Sequence, residues 1–382
     1  MKQDYWTYNK PLSVTGLGGG ATSLSFASAA GAVNPFDDMS NFTGATKISG
    51  TDIIYYSSSG SYTFVDPNNG LSKFRFTVVG GGGASDGDNY GWFANTGGGG
   101  GGGVRAEIQS AETLTIGVGQ GGGSAGFFTS GLTARDASWF NASITNSSNG
   151  INRVKGRGGE SFVKKSTDYV LKATGGNTGV TRYHFLSGYD NHITYINAAS
   201  SSGYSHLGLN GNRGYFYNGG YGYSYTVSGV TTSNATYHYG GIGGCAAHNS
   251  SHSGVSSSHI HPLDNGAGVA TNGENTTYSG AGGGGGGDSS GETPSGSTGV
   301  PNGGTGGTAS GLATLLSGSG ITAAGGNGSN RVNLYTIYTA GAAGGGHGGA
   351  SYYLNYSGGV YTQWGDSFTA AEGIVIVEFL GF

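Results

Sequence analysis

Between Thr181 and Gly240 the chain carries Tyr183, Tyr189, Tyr195, Tyr204, Tyr215, Tyr217, Tyr221, Tyr223, Tyr225, Tyr237 and Tyr239, eleven of its 25 tyrosines, set among Asn, Ser, Gly and His. Rigid amphipathic rings mixed with small, adaptable polar residues are the chemistry of an antibody paratope, which recognises surfaces rather than transforming them. The same rings stack on sugars. They also pack well over bare backbone or between subunits, so recognition and packing both stand as readings of this segment. Tyr215, Tyr217, Tyr221, Tyr223, Tyr225, Tyr237 and Tyr239 are the candidates for receptor contact.

His248, His252, His259 and His261 lie in the run AHNSSHSGVSSSHIH. A His259-x-His261 pair from each of three chains could ligate one metal ion on a threefold axis; otherwise the run is a polar loop. No other cofactor is expected. Carboxylates are sparse (Asp37, Asp38, Asp86, Asp88, Asp264, Asp288, Asp366, Glu372), and no Ser-His-Asp or metal-hydrolase spacing occurs. Cys245, between Gly244 and Ala246, has no nearby base and reads as a small packed residue. Phosphate-binding glycine loops need Gly-Lys-Ser/Thr or a strand-helix-strand frame, and neither is present. Only a depolymerase built on a carboxylate pair distant in sequence survives as an enzymatic alternative. The expectation is a protein without catalytic activity.

The elements that must position these residues have an unusual composition. Glycine contributes 84 of 382 residues, and charged residues only 9% against about 25% in an ordinary soluble domain. Such figures suggest low complexity, but 25 Tyr, 16 Phe and 4 Trp are more than a solvated linker carries. A formal net charge of −4 with no Lys/Arg run argues against a nucleic-acid partner. No apolar stretch reaches the length of a membrane span. MKQDYWTYNKPLSVTG shows no apolar core of a secretory leader, and the one cysteine makes no internal disulfide. An extracellular type of composition without an export signal fits a virion component released by lysis, with an extracellular or cell-surface location as the alternative.

Residues 1–50 have few glycine tracts and read as an attachment or oligomerisation segment of irregular or short helical structure, with a turn at Asn34–Met39. The remainder, 51–382, reads as one glycine-rich domain. Strands are expected at Asp52–Tyr56, Gly60–Val65, Lys73–Val79, Val104–Gln109, Glu112–Val118, Glu160–Lys165, Tyr169–Ala173 and Gly373–Leu380, from alternation or short apolar runs. The last of these, GIVIVEFL, suits a central strand whose partners are the early ones. Asp66-Pro67-Asn68-Asn69-Gly70 predicts a turn, since Pro presets φ and Asn-Gly supplies positive φ. Residues 174–372 then form a very large insertion, with tyrosine-rich display loops over about 181–240. Ala309–Ser317 is the one modest helix candidate.

The glycine tracts admit three readings. Collagen requires a strict Gly-X-Y period and abundant proline, which six prolines exclude. A flexible linker is the usual meaning of glycine and serine runs, but these tracts alternate with strands and tyrosines. The third is polyglycine II, a threefold extended helix rising about 3.1 Å per residue, so that Gly97–Gly103 would span about 22 Å. Such helices exchange backbone hydrogen bonds side by side and leave no buried polar group unpaired. This reading makes Gly97, Gly100, Gly103, Gly282, Gly287, Gly344 and Gly346 structural positions in rods clamped by a β scaffold.

The words FRFTVVGGGG (Phe74–Gly83), GGGGGGG followed by VRAEI (Gly97–Ile108) and LTIGVGQGG (Leu114–Gly122) resemble the glycine-rich domain of bacteriophage tail proteins, and a similar pattern marks the ectodomain of the anaplastic lymphoma kinase family. T-even-like phage tail-fibre adhesins also resemble the chain in carrying glycine tracts separated by variable, aromatic-rich loops. At the level of motifs the resemblance covers 50–126 and 370–382; over 174–372 it is compositional. It implies an all-β fold: a β-sandwich-like scaffold bearing a large inserted bundle of polyglycine II helices. It also implies a virion adhesin that attaches to a host-surface glycan or protein and joins other tail proteins through its N-terminal segment. The assembly it suggests is a homo-oligomer, with a trimer in view because fibres are commonly threefold. The alternative is a purely structural virion decoration protein or a self-assembling extracellular filament.

Overall fold

The computed structural model describes residues 33–84, 97–122, 158–176, 208–209, 216–217, 219–244, 272–284, 304–328, 341–346, 355–357, 360–362 and 370–382. Fifteen strands and one short helix follow in order: β1 (Thr46–Lys47), β2 (Ile53–Tyr56), β3 (Gly60–Phe64), β4 (Lys73–Val79), β5 (Gly103–Gln109), β6 (Leu114–Val118), β7 (Ser161–Lys165), β8 (Asp168–Ala173), β9 (Gly208–Leu209), β10 (Phe216–Tyr217), β11 (Gly222–Ser224), β12 (Thr231–His238), α1 (Ser310–Leu315), β13 (Asn355–Ser357), β14 (Val360–Thr362) and β15 (Ile374–Gly381). Two antiparallel sheets, ordered β1-β2-β15-β4-β5-β12 and β11-β8-β7-β6-β3, form an all-β sandwich; β9/β10 and β13/β14 are separate hairpins.

Alternation explains the sandwich core. Phe74, Phe76 and Val78 of β4 join Val104, Ala106 and Ile108 of β5, Ile116 and Val118 of β6, and Val163 and Leu171 from the facing sheet. The unbroken apolar run of β15 has a different cause, because this strand is buried on both faces. Val375 and Val377 enter the inter-sheet core, while Ile374 and Ile376 face a second cluster with Leu312 and Leu316 beneath α1. β15 lies between β2 and β4, pairing Ile376 with Tyr55 and with Thr77, as its sequence predicted. The helix is only six residues long, and its first amides are met by backbone carbonyls: Ser310 N–H donates to Thr276 O and Leu312 N–H to Thr277 O.

The expected turn after β3 is organised by Asp66. Its carboxylate accepts from the amides of Asn68, Gly70 and Ser72 and from the Ser72 hydroxyl at 2.7–3.0 Å, with Asn69 and Gly70 at positive φ. Within the segment 1–50 the structure describes residues 33–50. Short 3-10 turns at Pro35–Asp37 and Met39–Asn41 then carry Phe36 and Phe42 into the sandwich core, where their rings lie 5.2 Å apart edge to face. The described part of the first fifty residues is therefore core-forming.

On the outer face of the first sheet, Glu107 accepts from Arg75 at 2.7 Å and forms an ion pair with Lys73 at 2.7 Å, and Arg105 pairs with Glu378 at 2.7 Å. Hydrogen bonds from Lys73 first, then Arg75, hold the Glu107 carboxyl down at about 2. A carboxylate whose pKa is lower folded than unfolded stabilises the fold above its unfolded pKa, and loses that contribution as pH falls toward the folded value. The Glu107 contribution to the urea midpoint should therefore be constant above about pH 5 and be lost between about pH 4.5 and pH 2. Glu107→Gln should flatten part of that acid limb. An unchanged limb would show that Glu107 does not contribute to it.

The glycine tracts form a lattice with a period of three. Gly80 and Gly83 donate to Gly102 O and Gly99 O of the same neighbour, while Gly81 between them donates to Gly159 O and Gly82 to Ala371 O. Gly97 and Gly100 likewise donate to Gly244 O and Gly241 O, and Gly280 and Gly283 to Gly101 O and Gly98 O. Successive amides of a rod thus address different neighbours and every third returns to the first, as in polyglycine II. At Gly97, Gly100, Gly103, Gly282 and Gly346 the direction of a Cβ points into a neighbour's backbone: the carbonyls of Gly283, Gly280, Tyr278, Ile242 and Gly98 respectively. That is the geometry of a Cα–H···O contact, and it leaves no room for a side chain. Where a rod reaches the outside of the bundle, side chains replace the missing neighbour. Asn272, Asn327 and Asn275 accept from the amides of Thr305, Gly306 and Thr308, and Glu274 accepts from that of Ile242.

Two expectations are corrected here. Gly344 is a turn residue, not a rod position: Ala343 and Gly344 have φ of +49° and +76°, and Gly345 N–H closes the turn on Ala342 O at 3.0 Å. Polyglycine II needs φ near −75°. Residues 174–372 are also more than an insertion, because they supply an edge strand to each sheet (β11 and β12) and the helix. Gly287 lies outside the described residues.

Candidate functional site

Among the outermost described rod residues are Ala84, Gly97, Gly122, Gly158, Gly176, Gly244, Gly284, Gly304, Gly328, Gly346 and Ala370. These positions hydrogen-bond to one another or to the next residue along. Gly97 N–H donates to Gly244 O, Gly244 to Gly283, Gly284 to Gly326, Gly328 to Gly304, Gly158 to Gly176, and Ala370 to Gly122, at 2.6–2.9 Å. The outermost described residues of neighbouring rods are therefore joined directly through their backbones.

The candidate tyrosines divide. Tyr217 is the second residue of β10; Tyr215, His259, His261 and Cys245 lie outside the described residues. Tyr221, Tyr223, Tyr225, Tyr237 and Tyr239 are brought together at the sandwich edge, where β11 of one sheet meets β12 of the other. They are thus strand and strand-flanking residues, not parts of display loops. β11 pairs with β8, setting Tyr223 opposite Lys172, and β12 pairs with β5, setting Tyr237 opposite Val104. Tyr221 follows the rod residues Gly219 and Gly220, and Tyr239 precedes the rod starting at Gly240. The two rings, 4.5 Å apart, seal the junction where a strand becomes a rod.

From that junction a ladder of rings extends along the second sheet. Tyr221 and Tyr223 are 5.1 Å apart edge to face, Tyr223 and Tyr225 are 6.5 Å apart and within 28° of parallel, and Tyr225 lies 6.2 Å from Tyr169. Tyr169 in turn meets Phe162 at 5.6 Å and carries the ammonium groups of Lys164 and Lys172 at 4.1 and 5.1 Å from its centroid, within cation–π range. Lys172 also pairs with Glu160 at 2.7 Å, and Ser224 and Tyr237 share a hydroxyl hydrogen bond of 2.7 Å. Burial raises the phenol pKa of Tyr221 and Tyr225, so both stay neutral at physiological pH. Even so Tyr225, Tyr237 and Tyr239 are 43–49% exposed.

Sequence reasoning missed Tyr169 and Tyr278. Tyr169 opens the strand word YVLKA, and nothing in that word links it to tyrosines fifty residues later. Tyr278 lies under the Arg105 guanidinium at 4.4 Å and edge-on to His238 at 5.4 Å; burial, then Arg105, lowers the His238 pKa. Among the described residues no set of three His, Cys, Asp or Glu could hold a metal, and no helix is long and apolar enough to cross a membrane. Compared with known proteins, the chain matches no family model, and no curated protein matches it.

Proposed function

We propose that the chain is a non-enzymatic, receptor-binding adhesin of a virion tail fibre, whose sandwich and glycine lattice form a rigid stalk for segments that meet a host-surface glycan or protein. The observation that supports this reading is the direct hydrogen bonding of the outermost described rod residues to one another, a rigid base of the kind on which a scaffold presents binding loops. Those segments hold aromatic-rich sequence: Tyr90 and Trp92, Phe127 and Phe128, Tyr183 to Tyr215, and Tyr352, Tyr353 and Trp364. In this reading the N-terminal segment joins the chain to other tail proteins in a homo-oligomer, and its location is the virion.

The test is direct. Labelled full-length chain should bind intact bacterial cells, and replacing residues 181–207 with a Gly-Ser segment of equal length should remove most of that binding while the melting temperature stays within a few degrees. Electron microscopy of the purified chain should show discrete knobs on rods. Long fibrils, or a chain that binds no cell, would favour the structural reading. That second reading has one observation in its favour: the described tyrosines pack on one another at a junction, as structural rings would.

A further inference from the structure

The ring ladder lies apart from the rod ends, and its chemistry is specific. Its rings occupy the face of the second sheet turned away from Val163 and Leu171, which point into the core. Phe162 and Tyr169 start it; Tyr223 and Tyr225 continue it, and Tyr221 turns it round the edge to Tyr237 and Tyr239. Steps of 6.5, 5.1 and 4.5 Å lead from Tyr225 through Tyr223 and Tyr221 to Tyr239.

What surrounds the rings decides the occupant. A protein partner is anchored by a well-packed apolar centre from which water is fully excluded. Among the described residues the exposed large aliphatic side chains are Val33, which precedes β1, Val65 and Leu71, which flank β3 and β4, and Leu380 of β15; none belongs to β7, β8, β11 or β12. The ladder instead alternates ring faces with hydroxyl and ammonium groups: the Ser224–Tyr237 pair, Lys164 above Tyr169, and Lys172 with Glu160. A pyranose presents the complement. Its polarised C–H face suits the negative face of an aromatic ring, and its rim of hydroxyls needs hydrogen-bonding partners close beside that ring. The exposed rings of Tyr225, Tyr237 and Tyr239 offer stacking positions to sugar units.

We infer that this ladder is a lateral binding site for an extended polysaccharide strand, distinct from the display end of the rods; the inference rests on reading the chain as a surface-recognition protein. Full-length chain applied to a microarray of neutral and acidic polysaccharides is retained on at least one of them. The Tyr225→Ala, Tyr237→Ala double variant weakens that retention about tenfold or more, the scale expected when exposed anchor rings are removed. Tyr225→Phe, which keeps the ring, preserves it. Both alanine positions are more than 40% exposed, so an unchanged melting curve is expected; a variant that fails to fold is replaced by Tyr225→Ala alone. Retention on no polysaccharide overturns the proposal, as does wild-type retention by a folded double variant. A concentration-dependent dimer abolished by the same substitutions, without polysaccharide retention, reassigns the ladder to a second copy of the chain. Replacing 181–207 separates the two sites: loss of cell binding with polysaccharide retention intact leaves the ladder standing, and loss of both together assigns the polysaccharide to that segment and removes the ladder while leaving the display reading in place.

Discussion

Gly100→Val should cost about 3 kcal/mol or more, enough to lower the melting temperature markedly or prevent folding, because overpacking is relieved only where neighbours can shift. A side chain here would meet the Gly280 carbonyl group and the Ala281 oxygen, all of it backbone. Gly100 is held in place by its own bond to Gly241 O, and its carbonyl accepts from Gly220, so retreat in either direction breaks a rod contact. Alanine has a smaller side chain but the same first carbon. Gly50 provides the comparison: it sits at φ +73° with nothing within 4 Å of a Cβ, so Gly50→Ala reports backbone strain without steric conflict. That strain is about 1 kcal/mol. Thermal or urea unfolding of Gly100→Ala and Gly50→Ala side by side tests the lattice. If the Gly100 variant loses no more stability than the Gly50 variant, the rods are loosely packed and the threefold account fails.

Phe36→Ala should be the most damaging substitution before β1, at about 3–5 kcal/mol, the usual range for emptying a buried aromatic site. Phe36 is fully buried, with Phe42, Phe74 and Phe379 at centroid distances of 5.2, 5.7 and 6.4 Å. Its neighbours come from the 3-10 segment, β4 and β15, so the cavity would open between elements whose own hydrogen bonds limit collapse. Urea unfolding followed by tyrosine and tryptophan fluorescence measures the loss. A cost below about 1 kcal/mol would mean that residues 33–42 contribute little to the sandwich, and that an attachment segment extending to residue 50 describes the chain better.

The strands legible in the sequence share one property: their burial leaves a pattern of side chains. FRFTVV alternates because one face meets the core, and GIVIVEF is continuous because α1 and the second sheet cover both faces of β15. β11 and β12 were not legible for the converse reason. GYS and TTSNATYH are edge strands whose side chains are mostly exposed or half-buried, so neither period nor hydrophobicity marks them. Both fell inside a segment that reads as loop, and five tyrosines expected in display loops prove to be at the sandwich edge. The glycine rods were legible as a class but not in their neighbours. Nothing in the tract at 280–284 says that it bonds to 97–103, because the partners meet through backbone groups common to every residue. Gly344 shows the limit of composition: in sequence it is one more glycine in a run, whereas Ala343 before it adopts a left-handed turn that ends the rod.

The period of three has a consequence for how such a chain can change. Each rod is addressed by position modulo three, since the amide that faces one neighbour recurs only after a full turn of the helix. Adding one glycine inside Gly97–Gly103 would rotate everything beyond it by about a third of a turn and redirect its amides to different partners. Adding three would restore the phase and lengthen the stalk. Outside a rod no such arithmetic applies. The lattice therefore divides the sequence into stretches where length is quantised and stretches where it is free, and variation in the second kind leaves the first undisturbed.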